Sequence, residues 1–257
     1  MGQKDKLKRM VAELKRFLDE TFKDNTFFVI IYGSYAEGVE NESSDLGIMI
    51  LCKYKNKKLI QKCIDFVIRL HKKNLLKLDN EVKYENKLVI SFSFLERSIL
   101  GKGFKIINNK FHISPIVKTR KYLDSKELLL RFIHSVMVHN HIFITGNKKI
   151  YNLFRNAAIK SLMAVIISNK NKLKFTKDEL VNSYIWNGKS TGDFFLGYSD
   201  RECDYNYLSK IVDKSLGLLR KEGLVTYSKN YYQFSKNYQF SKKMLNPDIV
   251  KGFYRLN

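Results

Sequence analysis

The chain reads as an α+β protein: a mixed sheet with flanking helices, then a helical region, then a C-terminal unit of helices and a hairpin. Three observations predict this. Helical and strand periodicities alternate through residue 94, as a sheet with packed helices requires. Residues 128–168 are dominated by long apolar-periodic stretches of helical character. Near the C-terminus a helix is stopped by Gly223 and runs into Tyr/Lys-rich segments separated by turn residues. The divisions fall at residues 1–120, 121–172 and 173–257.

Leu7, Met10, Val11, Leu14, Phe17 and Leu18 recur at helical spacing and make an amphipathic first helix. Residues 27–32 form a β-rich apolar run ending at Gly33, and residues 46–51 form a second. Leu59, Ile60, Cys63, Val67 and Leu70 mark a helix through about Lys73. Two more strands are expected at 78–84 and 88–94. A Gly/Asn-containing stretch (101–109) and Pro115 separate this half from two helices at 128–143 and 151–168, joined by a turn at Gly146-Asn147. A short helix at 176–184, capped by Thr176, precedes a polar loop with Gly188, Gly192 and Gly197. A final helix covers 208–222. Ser-Lys-Asn-Tyr-Tyr-Gln-Phe (228–234) is nearly repeated at 235–240, and the copy is expected to lengthen a hairpin.

The 257 residues supply ample material for a buried core. A net charge of +22 points to a polyanionic partner or to a plain Lys/Asn-rich composition, and the even spread of lysines does not choose between them. Three cysteines (Cys52, Cys63, Cys203) have no metal-type spacing, which fits free thiols in a reducing compartment. The polar N-terminus carries no signal-peptide pattern, and no apolar stretch is long enough to span a bilayer. The expectation is a cytoplasmic protein without a membrane partner.

Residues 32–51 carry the chemistry. A buried strand ends at Gly33, where the absence of a Cβ lets backbone approach a phosphate. Ser34 starts a short helix, so its hydroxyl and nearby amides can face an anion. Gly38 lets the loop fold back, and Ser44-Asp45 opens the next strand. Strand alternation would put Asp45 and residue 47 on one face, and residue 47 is glycine. The pattern Gly-Ser, about ten residues, then Asp-x-carboxylate resembles the polymerase-β-like nucleotidyltransferase superfamily, over roughly residues 25–95. The likeness is to minimal and antibiotic-modifying bacterial members.

The resemblance implies transfer of a nucleoside monophosphate, AMP from ATP above all, to a hydroxyl acceptor. It implies phosphate contacts at Gly33, Ser34, Gly38 and Ser44, Mg²⁺ at Asp45, and a third carboxylate at Glu81 or Asp79 that activates the acceptor and also serves the metal. Gly47 stands where the family has its second metal-binding carboxylate, so two functions follow: a transferase lacking one ligand, or a catalytically silent regulator in a toxin–antitoxin or defence setting. The C-terminal helix–Gly–strand–hairpin order resembles a winged helix. Its aromatics, Tyr231 and Tyr232 among them, interleave with Lys229 and Lys236 as either a nucleic-acid surface or an aromatic core face. RNA or tRNA, a nucleic-acid-associated protein, and a second copy of the chain are the implied partners.

Three signals are set aside. Asn187-Gly188-Lys189-Ser190-Thr191 resembles a P-loop tail, but residue 183 is Ser and no apolar strand precedes it. His134, His139 and His141 have no Cys or carboxylate spaced to complete a zinc site, so packing or capping roles are expected. Arg155 and Lys160 could meet phosphates or form a solvated face.

Overall fold

The structure is a computed structural model describing residues 3–22, 26–42, 44–53, 56–77, 89–91, 94–95, 98, 104–107, 110–112, 133–166, 172–191, 204–235 and 239–240. In chain order the elements are α1 (Gln3–Thr21), β1 (Thr26–Tyr32), α2 (Ser34–Glu37), β2 (Gly47–Cys52), α3 (Lys57–Lys73), β3 (Val89–Ser91), β4 (Phe104–Ile107), β5 (Lys110–His112), β6 (His141–Gly146), α4 (Lys148–Ile166), β7 (Lys174–Phe175), α5 (Lys177–Thr191), α6 (Tyr205–Lys221), β8 (Val225–Ser228), β9 (Tyr231–Phe234) and β10 (Gln239–Phe240). The chain divides into two compact units, Met1–Leu95 with Asn140–Asn152, and Glu96–His139 with Leu153–Asn257.

The first unit is built on a four-stranded mixed sheet in the order β3-β2-β1-β6. β1 pairs antiparallel with both β2 and β6, and β2 pairs parallel with β3. Every residue of β2 is buried, as are all but the first of β1, which is why both read as unbroken apolar runs. One sheet face carries Val29, Ile31, Ile48, Ile50 and Ile144, packed with Met10, Leu14 and Leu18 of α1 and Ile60, Cys63 and Val67 of α3. The helical spacings read from the sequence are therefore the core-facing stripes. The Asn56 side chain caps α3 by accepting the Leu59 N–H at 2.8 Å.

The stretch expected as one helix, 128–143, differs in its described part. A helical segment occupies 133–138 and β6 follows, its His141-Ile142-Phe143 registered against Tyr32, Ile31 and Ile30. The apolar, β-branched run from Ile142 to Thr145 is stabilised as a strand by the unpaired edge of β1, a tertiary partner that a local periodicity cannot reveal. The strand expected at 88–94 is described as Val89–Ser91. The strand expected at 78–84 lies outside the described residues.

In the second unit, β7, β9 and β8 form a sheet in that order, and β10, β4 and β5 form another. The second copy of the near-repeat thus does not lengthen the β8–β9 hairpin. Its Gln239 and Phe240 pair with Lys105 and Phe104, inside the stretch read as a spacer. α5 starts as expected, with Thr176 Oγ1 accepting the Glu179 N–H at 3.2 Å and Glu179 returning the bond to the Thr176 N–H at 2.8 Å. It then continues through Gly188 to Thr191, so the first part of the expected polar loop, the P-loop-like residues included, is helical, and Gly192 and Gly197 lie outside the described residues. The α6 stop at Gly223, with φ 68°, is as read. No described helix is long and apolar enough to cross a membrane.

Candidate nucleotide-binding corner

Where β1 ends, Gly33 adopts φ 82°, ψ −161°, a backbone state open essentially to glycine alone. Its carbonyl accepts the Ala36 and Glu37 amides at 2.9 and 3.1 Å, winding the chain into α2. That single turn closes at Gly38, φ 68°, and the Ser34 carbonyl accepts the Val39 amide at 3.0 Å. Ser34 is half-buried at the first position of this turn. Ser44 closes the following loop on itself: its hydroxyl accepts the Asn41 N–H at 2.9 Å and donates to Asn41 Oδ1 at 3.3 Å. That engagement fixes the approach to Asp45, so the geometry of Ser44 serves the loop.

Asp45 is half-buried and lies two residues before β2 begins at Gly47. The following amide, Leu46 N–H, donates to His71 Nε2 at 3.0 Å, and His71 Nδ1–H donates to the Val67 carbonyl at 2.8 Å. Fully buried, His71 therefore sits as the neutral Nδ1–H tautomer and anchors the chain beside Asp45. Sequence reading missed it, because His71 falls on the buried stripe of α3, four residues after Val67, and a lone polar residue there leaves no motif. Tyr35, buried on α2, has its hydroxyl pKa raised by burial and then by the Glu40 and Asp45 carboxylates. One Glu40 oxygen is buried with no hydrogen-bond partner among the described residues. Glu40 sits within the loop and outside the motif spacing, so no pattern singles it out.

Gly47 faces Tyr32 directly across the β1–β2 register. A Cβ at residue 47 would lie 2.7 Å from Tyr32 Cε2, 2.9 Å from Cδ2 and 2.9 Å from the Tyr32 carbonyl oxygen. The two-magnesium set that the resemblance implies needs carboxylates at residues 45 and 47. Asp45 offers one half-buried carboxylate, whereas residue 47 has no side chain and its Cβ position is crowded by the Tyr32 ring and carbonyl oxygen. Among the described residues, no three His, Cys, Asp or Glu side chains gather as a metal site. Asp79 and Glu81 lie outside the described residues. Among the described residues, residue 47 supplies no ligand to a second ion.

The three histidines have separate, non-metal partners. In the second unit, His134 Nε2–H donates to Ser161 Oγ (2.7 Å) and the Ala158 carbonyl (3.0 Å), while His139 Nε2 lies 2.7 Å from the Tyr184 hydroxyl. Burial, aided by His134, pulls the His139 pKa down to about 4. In the first unit, His141 Nε2 lies 2.7 Å from the Tyr151 hydroxyl. Lys160 is buried and pairs with Glu222 at 2.5 Å, so it does not lie on a solvated face.

The β8–β9 hairpin turns through Lys229 (φ 48°) and Asn230 (φ 64°), the two positive φ values of a type I′ turn. Its register places Tyr227, Tyr232 and Phe175 on one face, with Phe175 buried and Tyr232 half-buried. Tyr231 is exposed on the other face, beneath Lys174 Nζ at 4.2 Å from the ring centroid. Arg220 lies 5.7 Å from the Tyr227 ring. Nearby acids are engaged, Glu179 with Lys172 (2.5 Å) and Asp213 with Lys177 (2.7 Å). The aromatic core face and the outward cationic-aromatic face are thus two sides of one hairpin. Lys236 lies outside the described residues.

Compared with known proteins, the chain matches no family model, no curated protein and no solved structure.

Proposed function

We propose that the first unit binds a nucleoside triphosphate, ATP foremost, in the manner of the polymerase-β-like nucleotidyltransferases, and that the second unit binds a polyanion such as RNA. The observation that carries this reading is the Gly33-Ser34 turn at the end of β1, lying beside the half-buried Asp45 that precedes the antiparallel neighbour β2. The order α1-β1-α2-β2-α3-β3 supports it, because the Gly-Ser turn and the Asp segment fall where the resemblance expects them.

Ser34 offers a hydroxyl and Gly33 an unobstructed backbone to the phosphates. Asp45 would carry a divalent cation arriving with the nucleotide, which would neutralise phosphate charge. A winged-helix reading of the second unit is supported by the succession β7-α5-α6-β8-β9 with sheet order β7-β9-β8. Lys174, Tyr231 and Lys229 then present cations and a ring to a nucleic-acid strand.

The catalytically silent reading is favoured over active transfer by one observation, the Tyr32 ring against Gly47. Incubation with labelled ATP, magnesium and bulk RNA or lysate separates the two. The expected result is label held reversibly by the protein, with salt-sensitive RNA binding and no labelled acceptor. Asp45-dependent label on an RNA or protein acceptor would establish the transferase instead. Absence of both ATP and RNA binding would overturn the proposal.

A further inference from the structure

α6 buries one stripe, from Leu208 to Leu219, and its opposite face exposes Lys210, Asp213, Lys214, Gly217, Arg220 and Lys221. Gly217 lies at the centre of that face, because Asp213, Lys214, Arg220 and Lys221 all stand three or four residues from it. Asp213 is held by Lys177 at 2.7 Å, so the surroundings of the glycine are cationic. Nothing among the described residues requires a glycine here. Its φ is not positive, and a Cβ would meet no heavy atom within 4 Å beyond its own stretch of helix. Glycine weakens a helix interior relative to alanine, and it serves where a ligand must come close to backbone. The reason for this one therefore lies outside the chain.

A second helix adds charge beside it. The Ser215 hydroxyl donates to the Ile159 carbonyl at 2.7 Å and seats α6 on α4. Arg155, one turn before Ile159, is half-buried, and Lys214 directly precedes Ser215. Burial, aided by the Arg155 guanidinium, lowers the Lys214 pKa. Two like charges brought this near each other are eased by an anion.

We infer that the outward face of α6, centred on Gly217, is a contact surface for the sugar-phosphate backbone of an RNA strand: the missing side chain admits the strand to the helix, while Lys214 with Arg155, and Lys221 one turn beyond the glycine, meet its phosphates. Such contacts position a strand without reading its sequence. The inference rests on the polyanion reading of the second unit and adds a surface to the hairpin face that carries Tyr231.

The test pairs melting temperature with binding of a short labelled single-stranded RNA of mixed sequence to the full chain, across a salt series. Gly217→Ala should raise Tm by about 2–4 °C and yet weaken RNA binding several-fold, two opposite signs that a merely structural position would not give. Gly217→Gln should weaken binding further. Lys214→Ala and Arg155→Gln should each reduce the slope of log affinity against log salt by about 0.7. Lys62→Ala, on the exposed face of α3, should leave that slope unchanged. A Gly217→Ala protein with raised Tm and undiminished RNA binding would overturn the inference, as would equal slope changes from Lys62→Ala and Lys214→Ala. If Tyr231→Ala alone weakens binding, the inference falls and the polyanion reading stands; a wild type that binds no RNA contradicts both.

Discussion

His71 Nε2 accepts the Leu46 amide hydrogen at 3.0 Å, tying α3 to the residue that follows Asp45. With its other nitrogen held by the Val67 carbonyl, the ring spans a helix and the entry to β2 inside the core. Removing it leaves a buried amide without a partner and opens a cavity. His71→Ala should destabilise the protein by about 2–4 kcal/mol and weaken ATP binding through loss of order at Asp45. Chemical denaturation and an ATP titration check both. An unchanged titration would separate His71 from the site.

The thiols of the first unit should be inert in the native protein. Cys63 is buried, and burial, aided by Cys52, pushes its pKa up to about 12. Cys52 is buried too, with Sγ 3.7 Å from the Ile90 carbonyl. Because the thiolate is the reactive form, iodoacetamide at pH 8 should leave both unmodified until denaturant is added, as site-resolved mass spectrometry would show. Native labelling of Cys63 would contradict the packing of α3.

Acid should weaken the second unit through His139. Its folded pKa of about 4 lies below the ordinary value near 6.5, so between those pH values the unfolded chain binds the extra proton. Stability is then full above about pH 6.5 and falls as the pH drops toward 4, by roughly 2 kcal/mol between pH 6.5 and 5. Thermal melts should show this fall, and His139→Gln should flatten it.

Lys229 occupies a left-handed position that Asn or Gly fills at lower cost. Lys229→Asn should stabilise the hairpin by a few tenths to about 1 kcal/mol while reducing the salt dependence of RNA binding by about one phosphate contact. Tyr231→Ala should weaken RNA binding by an amount equivalent to about 1–3 kcal/mol with little change in Tm, since the ring is exposed. Comparable losses from Tyr231→Ala and from truncating the half-buried Tyr232 would argue against an outward binding face.

Much of the architecture was legible because local pattern and tertiary need coincide in α1, β1, β2, α3 and α6, whose apolar spacings became buried stripes. β6 was not, because its partner β1 lies more than a hundred residues earlier and the choice between helix and strand is made by that pairing. Gly188 read as a breaker, yet α5 runs on to Thr191, the penalty of one internal glycine being only about 1 kcal/mol. At the site, Gly33, Ser34 and Asp45 were visible through spacing. Tyr32 and His71 were not, since their roles are contacts across the register and between α3 and β2, which leave no motif.

The central claim, a nucleotide held at the Gly33-Ser34 turn beside Asp45, is tested most directly by equilibrium titration of the full chain with ATP, with and without magnesium. The wild type should bind saturably; Ser34→Ala should bind about tenfold more weakly, the worth of one hydrogen bond to a charged group. Asp45→Asn should lose the magnesium dependence. Binding equal in all three proteins, or none in the wild type, would contradict the account.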